Sequence, residues 1–257
     1  YTCVIDSAPD YAPAYLSRAE EYHYSYEYAL AIADYETYLQ LNPDKDDSAY
    51  YTYDDYYVDP AYELAILRRY MALPDEALDA WISAQQSRYS YDDEDNKQTL
   101  DSLNVVIEAD PTFDEALYMR ATIYDEAGEY ENALADYQAY VALIDDEDSY
   151  THSRITEIEQ LIALPDDLQI LYREGQEAQN IADYATAIDA FSQILAQQPD
   201  FMKLYYQRGM LYYYLSEYEL ARQDFVVYQD RVSGEESSEV DYLLESIDTL
   251  LGSLDGE

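Results

Sequence analysis

Four stretches of this 257-residue chain can be laid over one another residue by residue, and that periodicity restricts its fold more than any other feature. Residues 14–43 (AYLSRAEEYHYSYEYALAIADYETYLQLNP), 116–145 (ALYMRATIYDEAGEYENALADYQAYVALID), 170–199 (ILYREGQEAQNIADYATAIDAFSQILAQQP) and 204–233 (LYYQRGMLYYYLSEYELARQDFVVYQDRVS) follow one template. Pro9 and Pro43 are 34 residues apart, as are Pro165 and Pro199. A unit of that length cannot bury a core by itself, so successive copies have to stack.

The agreement is position-specific when the copies are numbered from Ala12, Asp114, Leu168 and Met202. The eighth residue is small (Ala19, Ala121, Gly175, Gly209), and so is the twentieth (Ala31, Ala133, Ala187, Ala221). Two helices that cross closely need small residues at the crossing. Position 17 is always Tyr (Tyr28, Tyr130, Tyr184, Tyr218), and position 24 is aromatic (Tyr35, Tyr137, Phe191, Phe225).

A longer period lies above the short one. ALPD occurs at 72–75 and again at 163–166, 91 residues on, each time closing an amphipathic stretch outside the template (60–72 and 150–163). Residues 239–251 (EVDYLLESIDTLL) occupy the equivalent place after the last copy. Their apolar stripe of Val240, Leu243, Leu244, Ile247, Leu250 and Leu251 has helical spacing and reads as a terminal cap. Trp81 aligns with Tyr172, Ala84 with Gly175 and, after a three-residue insertion around 89–95, Pro111 with Pro199, so 77–111 is a divergent copy.

This pattern resembles the tetratricopeptide repeat (TPR), two antiparallel helices per 34 residues. The resemblance implies an all-α, right-handed superhelical solenoid with extra spacer helices. The whole chain reads as a single array: a partial repeat at 1–9, repeats at 12–45, 77–111, 114–147, 168–199 and 202–233, spacer helices at 60–73 and 150–164, and a terminal helix at 239–252. The insertion at 44–59 (DKDDSAYYTYDDYYVD) reads as an exposed loop.

Composition narrows the partners. Against 13 basic residues stand 56 acidic ones, a formal net charge of −43, which repels phosphate backbones and anionic lipid. Nucleic acid is therefore not expected, and since no run approaches the roughly 18 apolar residues that a membrane helix requires, neither is membrane insertion. An acidic, lysine-poor surface points to an extracellular or cell-surface setting. The 34 tyrosines argue against disorder, since disordered chains are poor in aromatics.

Catalytic chemistry finds no foothold. His23 and His152 lie in different segments without acids or Cys at ligand spacing, and Cys3 is alone. No Gly-rich phosphate loop, nucleophile elbow or zinc-protease helix is present, so the chain reads as non-enzymatic and without a cofactor. Calcium is the single cofactor with a candidate site. Asp44, Asp46, Ser48, Thr52 and Asp55 fall at places one, three, five, nine and twelve of an EF-hand-like loop. Ala49 replaces the turn glycine and Asp55 the bidentate Glu, and the other reading is a solvated acidic loop.

In the TPR family the first helices line a concave groove, with positions two, five, nine and twelve facing it. Position five is Leu16, Trp81, Tyr118, Tyr172 and Tyr206, and nearby stand His23, Arg88, Arg173, Lys203, Met210 and Tyr213. Such an aromatic ladder can hold an extended peptide, an inserted helix or a glycan. Alternatively, these side chains cover the surface between helices. The carboxylate clamp of the family's chaperone-binding members is not expected, because position five carries no Lys and position nine no Asn (Glu20, Gln85, Thr122, Gln176, Met210). The expected function is a protein–protein interaction scaffold. Copies would join head-to-tail into a fibre through the partial repeat, or the groove of a monomer would recruit a separate partner.

Overall fold

The computed structural model describes residues 1–42, 59–87, 93–144, 149–231 and 235–254. Among these residues every regular element is a helix: α1 (Thr2–Ser7), α2 (Ala12–Tyr24), α3 (Tyr28–Leu41), α4 (Pro60–Tyr70), α5 (Asp75–Ser87), α6 (Asp93–Ala109), α7 (Asp114–Glu126), α8 (Tyr130–Val141), α9 (Ser149–Ile162), α10 (Asp166–Asn180), α11 (Tyr184–Gln197), α12 (Met202–Tyr214), α13 (Tyr218–Gln229) and α14 (Glu235–Leu254). They form two compact units, Tyr1–Ile123 and Tyr124–Glu257, with the boundary inside α7.

In the first unit α2/α3 and α5/α6 pair as hairpins, α1 lies on α2, and α4 lies on α3. In the second, α10/α11 and α12/α13 are the hairpins, α11 packs on α12, α9 on α8 and α14 on α13. Thus α4 covers the second helix of the α2/α3 hairpin, α14 that of α12/α13, and α9 covers α8, as their equivalent places in sequence require.

The template positions account for this packing. Ala31, Ala133, Ala187 and Ala221 are completely buried, and the aromatic residue four places on is at most 3% exposed in every copy. Positions eight and 24 vary together: Ala19 and Ala121 go with Tyr35 and Tyr137, Gly175 and Gly209 with Phe191 and Phe225. A Cβ built on Gly175 would lie 2.5 Å from the Phe191 ring, and one on Gly209 2.9 Å from the Phe225 ring. The phenylalanine edge therefore occupies the space of the missing methyl. In the divergent hairpin, Ala84 and Leu103 are likewise fully buried.

In the four clear copies the turn is closed in the same way at position fifteen. Tyr26, Gly128, Ala182 and Ser216 have φ between 60° and 73°, the left-handed region that ends many helices. The following amide returns to the carbonyl five residues earlier, Glu27 to Tyr22, Glu129 to Tyr124, Asp183 to Ala178 and Glu217 to Tyr212, at 2.8–2.9 Å. Three of the four copies adopt this conformation without glycine.

Helix α14 buries Val240 and Ile247 against Ala221, Phe225 and Tyr228, with Leu243, Leu244 and Leu251 partly buried beside them. At α1 nothing is buried, and Tyr1 and Val4 are exposed.

Candidate functional site

The position-five residues divide into two groups, and the expected ladder loses two of its rungs. Trp81 and Tyr172 are each 2% exposed. The Trp81 ring stands 5.0 Å from Phe113 and 5.5 Å from Tyr70. Tyr172 stacks on Phe201 at 6.2 Å and donates its hydroxyl to Glu157 Oε1 at 3.2 Å. Phe113 and Phe201 each immediately precede the next first helix. These two side chains are therefore joints between consecutive hairpins rather than groove surface, and burial pushes the Tyr172 phenol well above its ordinary pKa.

The other candidates remain partly accessible. Tyr206 donates to Glu239 Oε1 of α14 at 2.9 Å, packs 5.3 Å from Tyr228, and carries the Lys203 ammonium 5.2 Å over its ring. Tyr213 makes edge contacts with Tyr218 at 5.7 Å and Tyr214 at 6.4 Å. Tyr118 is half-buried, and Arg173 is exposed with its stem beside Gly128. Trp81 and Tyr118 belong to the first unit; Tyr172, Arg173, Lys203, Tyr206 and Tyr213 belong to the second.

Polar order within each unit is extensive. Between α2 and α4, His23 Nδ1 lies 3.3 Å from Glu63. Gln85 of α5 donates to the Tyr28 hydroxyl at 2.9 Å, and burial pushes that phenol up to about 12. In the second unit Arg154 of α9 grips Asp125 through Nε at 2.7 Å and Nη2 at 2.5 Å, while its Nη1 meets Glu157 at 2.6 Å. Among the described residues no group of three His, Cys, Asp or Glu side chains is placed to hold a metal ion. The calcium candidates Asp44, Asp46, Ser48, Thr52 and Asp55, and Arg88 beside the groove, lie outside the described residues. No described helix is long and apolar enough to cross a membrane.

One constellation was not anticipated from the sequence. Arg18 (position seven) donates to Asp34 (position 23) at 2.6 and 2.7 Å, and its guanidinium lies 5.8 and 5.7 Å from the rings of Tyr15 and Tyr22. Arg208 repeats this with Asp224, Tyr205 and Tyr212, and also donates to Ser192 on α11 at 2.9 Å. The signal available was an Arg followed sixteen residues later by Asp, as also in Arg120 and Asp136. In the 168–199 copy both are absent, replaced by Glu174 and Ala190.

Comparison with known proteins agrees with the repeat pattern. Residues 103–135 match the family model for the tetratricopeptide repeat. The DnaJ protein P58IPK homolog of Arabidopsis thaliana is 23% identical over 182 residues, 60% of this chain and 38% of that protein's length. Solved structures with a similar arrangement include the P58(IPK) TPR domain (17% identity, TM-score 0.31, covering 100% of this chain and 83% of that one). YrrB, described as a TPR protein with an unusual peptide-binding site, is 17% identical with a TM-score of 0.28, covering 89% and 90%. A tetratricopeptide repeat protein of Parabacteroides merdae is 14% identical with a TM-score of 0.31, covering 92% and 98%. The match to the tetratricopeptide-repeat model is confined to residues 103–135, and the small residues at the helix crossings and the common left-handed turn recur in the copies on either side of it.

Proposed function

We propose that this chain is a non-enzymatic scaffold that binds a protein partner through side chains its own packing leaves uncovered. The observation that carries this reading is the exposure of large apolar groups at hairpin ends. Tyr24 is 81% exposed, Ile181 78% and Tyr214 57%, although the alanine and aromatic positions beneath them are closed. Tyr24 belongs to the first unit, Ile181 and Tyr214 to the second, and exposed apolar patches mark interaction surfaces. In the second unit Arg173 is exposed and Tyr213 and Lys203 are half-buried, in the first Tyr118 is half-buried, and Trp81 and Tyr172 are buried. Photo-crosslinking groups placed at residues 24, 118, 213 and 214 of the full chain should capture a discrete polypeptide in the source cells. A group at Glu131 serves as the exposed control; equal or absent capture at all five places would refute the reading.

A second reading, head-to-tail assembly of copies into a fibre, is favoured by α1, which buries none of its six residues and leaves Tyr1 58% and Val4 45% exposed. Charge repulsion at −43 opposes association, so assembly should strengthen as salt rises. Light scattering over a concentration series at low and high salt tests this, and a monomer under every condition would eliminate it.

A further inference from the structure

The 168–199 copy departs from its neighbours at one place, and the departure leaves a space. In the α2/α3 and α12/α13 hairpins, the arginine at position seven lies between two tyrosines, at positions four and eleven, and reaches an aspartate on the second helix. In α10/α11 those positions hold Glu174, Leu171, Ala178 and Ala190, so ring, guanidinium and counter-ion are all missing. An open pocket of 510 Å³ lies beside two of these positions, Glu174 and Ala178, and toward the turn, lined also by Glu177, Asn180, Ile181, Asp183 and Thr186. Asp183 is engaged at the start of α11, accepting from the Thr186 amide at 3.3 Å and its hydroxyl at 2.8 Å. Glu174 and Glu177 form no ion pair among the described residues. Arg173 does not fill the space, because its stem lies beside Gly128.

The pocket adjoins an apolar shelf. Ile181, on its rim, is 78% exposed. In the same turn, the ring of Tyr184 sits 5.6 Å from that of Tyr214 at the end of α12, and Leu215 beside it is 46% exposed. Two unpaired carboxylates at a mostly apolar recess are complementary to a cation carried on an apolar stem. A guanidinium fits better than an ammonium, because it is planar, less strongly hydrated and able to fork between two carboxylates.

We infer that this pocket is a docking site for an arginine-bearing amphipathic segment of a protein partner. The incoming guanidinium pairs to Glu174 and Glu177 beside Ala178, where the adjacent hairpin carries the Tyr212 ring. Apolar residues flanking it in the partner lie on Ile181, Tyr184, Tyr214 and Leu215. The inference rests on the scaffold reading and specifies one surface and one chemistry for it.

The test uses the full chain and three synthetic helical peptides of equal length, followed by fluorescence anisotropy. One carries Arg and Leu, the second Lys in place of Arg, and the third Arg with Ser in place of Leu. The first should bind, the second several-fold more weakly, and the third not at all, with affinity falling as salt rises. Ala178→Tyr and Glu174→Arg, which restore what the neighbouring hairpins carry, should each weaken the first peptide about tenfold or more. Glu131→Arg, the same charge change on another hairpin, should leave it within a factor of about two. Ile181→Ser and Tyr214→Ser alter exposed side chains only and should weaken binding even if the pocket variants fold poorly by circular dichroism. Equal binding of all three peptides, equal loss with Glu131→Arg, or affinity unchanged in folded Ala178→Tyr and Ile181→Ser would overturn the proposal. If crosslinks at residues 24 or 118 still capture a partner in that event, the pocket inference fails while the scaffold reading stands; if no crosslink forms at any place, both fail.

Discussion

Arg208 and Asp224 face each other across the α12/α13 hairpin in a two-point ion pair, Nε donating to Oδ2 at 2.8 Å and Nη2 to Oδ1 at 2.7 Å. The carboxylate side chain is 7% exposed and the guanidinium side chain 17%, so neither relies on bulk water. Removing one partner strands the other in a poorly solvated place, whereas removing both does not. Asp224→Ala should therefore destabilise the chain by about 3 kcal/mol, while Arg208→Met with Asp224→Leu should stay within about 1 kcal/mol of the parent. Urea unfolding of the three proteins decides this. Equal losses in the single and double variants would mean that the pair acts only as packing.

The contact between Gly175 and Phe191 leads to a second expectation. Phe191 is fully buried, so its ring cannot swing away from an added methyl. Gly175→Ala should lower stability by about 1–3 kcal/mol despite alanine's higher helix propensity. Phe191→Leu leaves a cavity in the parent, but combined with Gly175→Ala it removes a clash, so its penalty should be smaller in the double variant than alone. A double-mutant cycle measures that coupling, and additivity would contradict the close approach.

Position fifteen separates backbone conformation from packing. Ala182 and Ser216 hold φ of 60° and 62° with a Cβ attached, while Gly128 holds 73° without one. The left-handed conformation costs an L-residue about 1 kcal/mol relative to glycine. Ala182→Gly and Ser216→Gly should accordingly raise the unfolding midpoint slightly, and Gly128→Ala should lower it. The looser unfolded chain offsets part of the gain from glycine, so a net change near zero in the first two with a clear loss in the third would still fit, whereas a gain in the third would not.

The repeat was legible because stacking imposes the same steric demands every 34 residues: small residues where helices cross and aromatics where they meet. That demand is written into Ala31, Ala133, Ala187 and Ala221 wherever the rest of the copy drifts. Position five was harder to place, since Trp81 and Tyr172 have the side chains expected of either a groove or a joint. What decides is a second residue, Phe113 or Phe201, at the entrance of the next first helix, and only the folded chain brings the two rings together. The Arg18–Asp34 and Arg208–Asp224 pairs were hidden differently. Among 56 acidic residues a single aspartate carries no signal, and only the sixteen-residue offset, with its joint loss in the 168–199 copy, marks these as partners.

Glu115, in the first turn of α7, provides the pH dependence. Its carboxyl is raised from 4.5 to about 7, first by burial and further by the neighbouring Asp114, with Arg69 only partly opposing the shift. Arg69 of α4 donates to Glu115 at 3.1 Å, to Asp114, and to the Thr112 carbonyl at 2.5 Å, so the guanidinium is shared. A carboxyl that holds its proton more tightly when folded favours folding fully below pH 4.5, and that contribution is lost as pH rises through about 7. The side chain is 31% exposed, so solvent screening limits the effect to about 1–2 kcal/mol. Glu115→Gln keeps the shape and removes the titration. Its stability should match the parent near pH 4 and exceed it near pH 8, with the difference opening between those values. Because carboxylates distant from this site respond equally in both proteins, the difference between their urea midpoints reports Glu115 together with Asp114, with which it shares Arg69. A constant difference across that range would place the proton elsewhere.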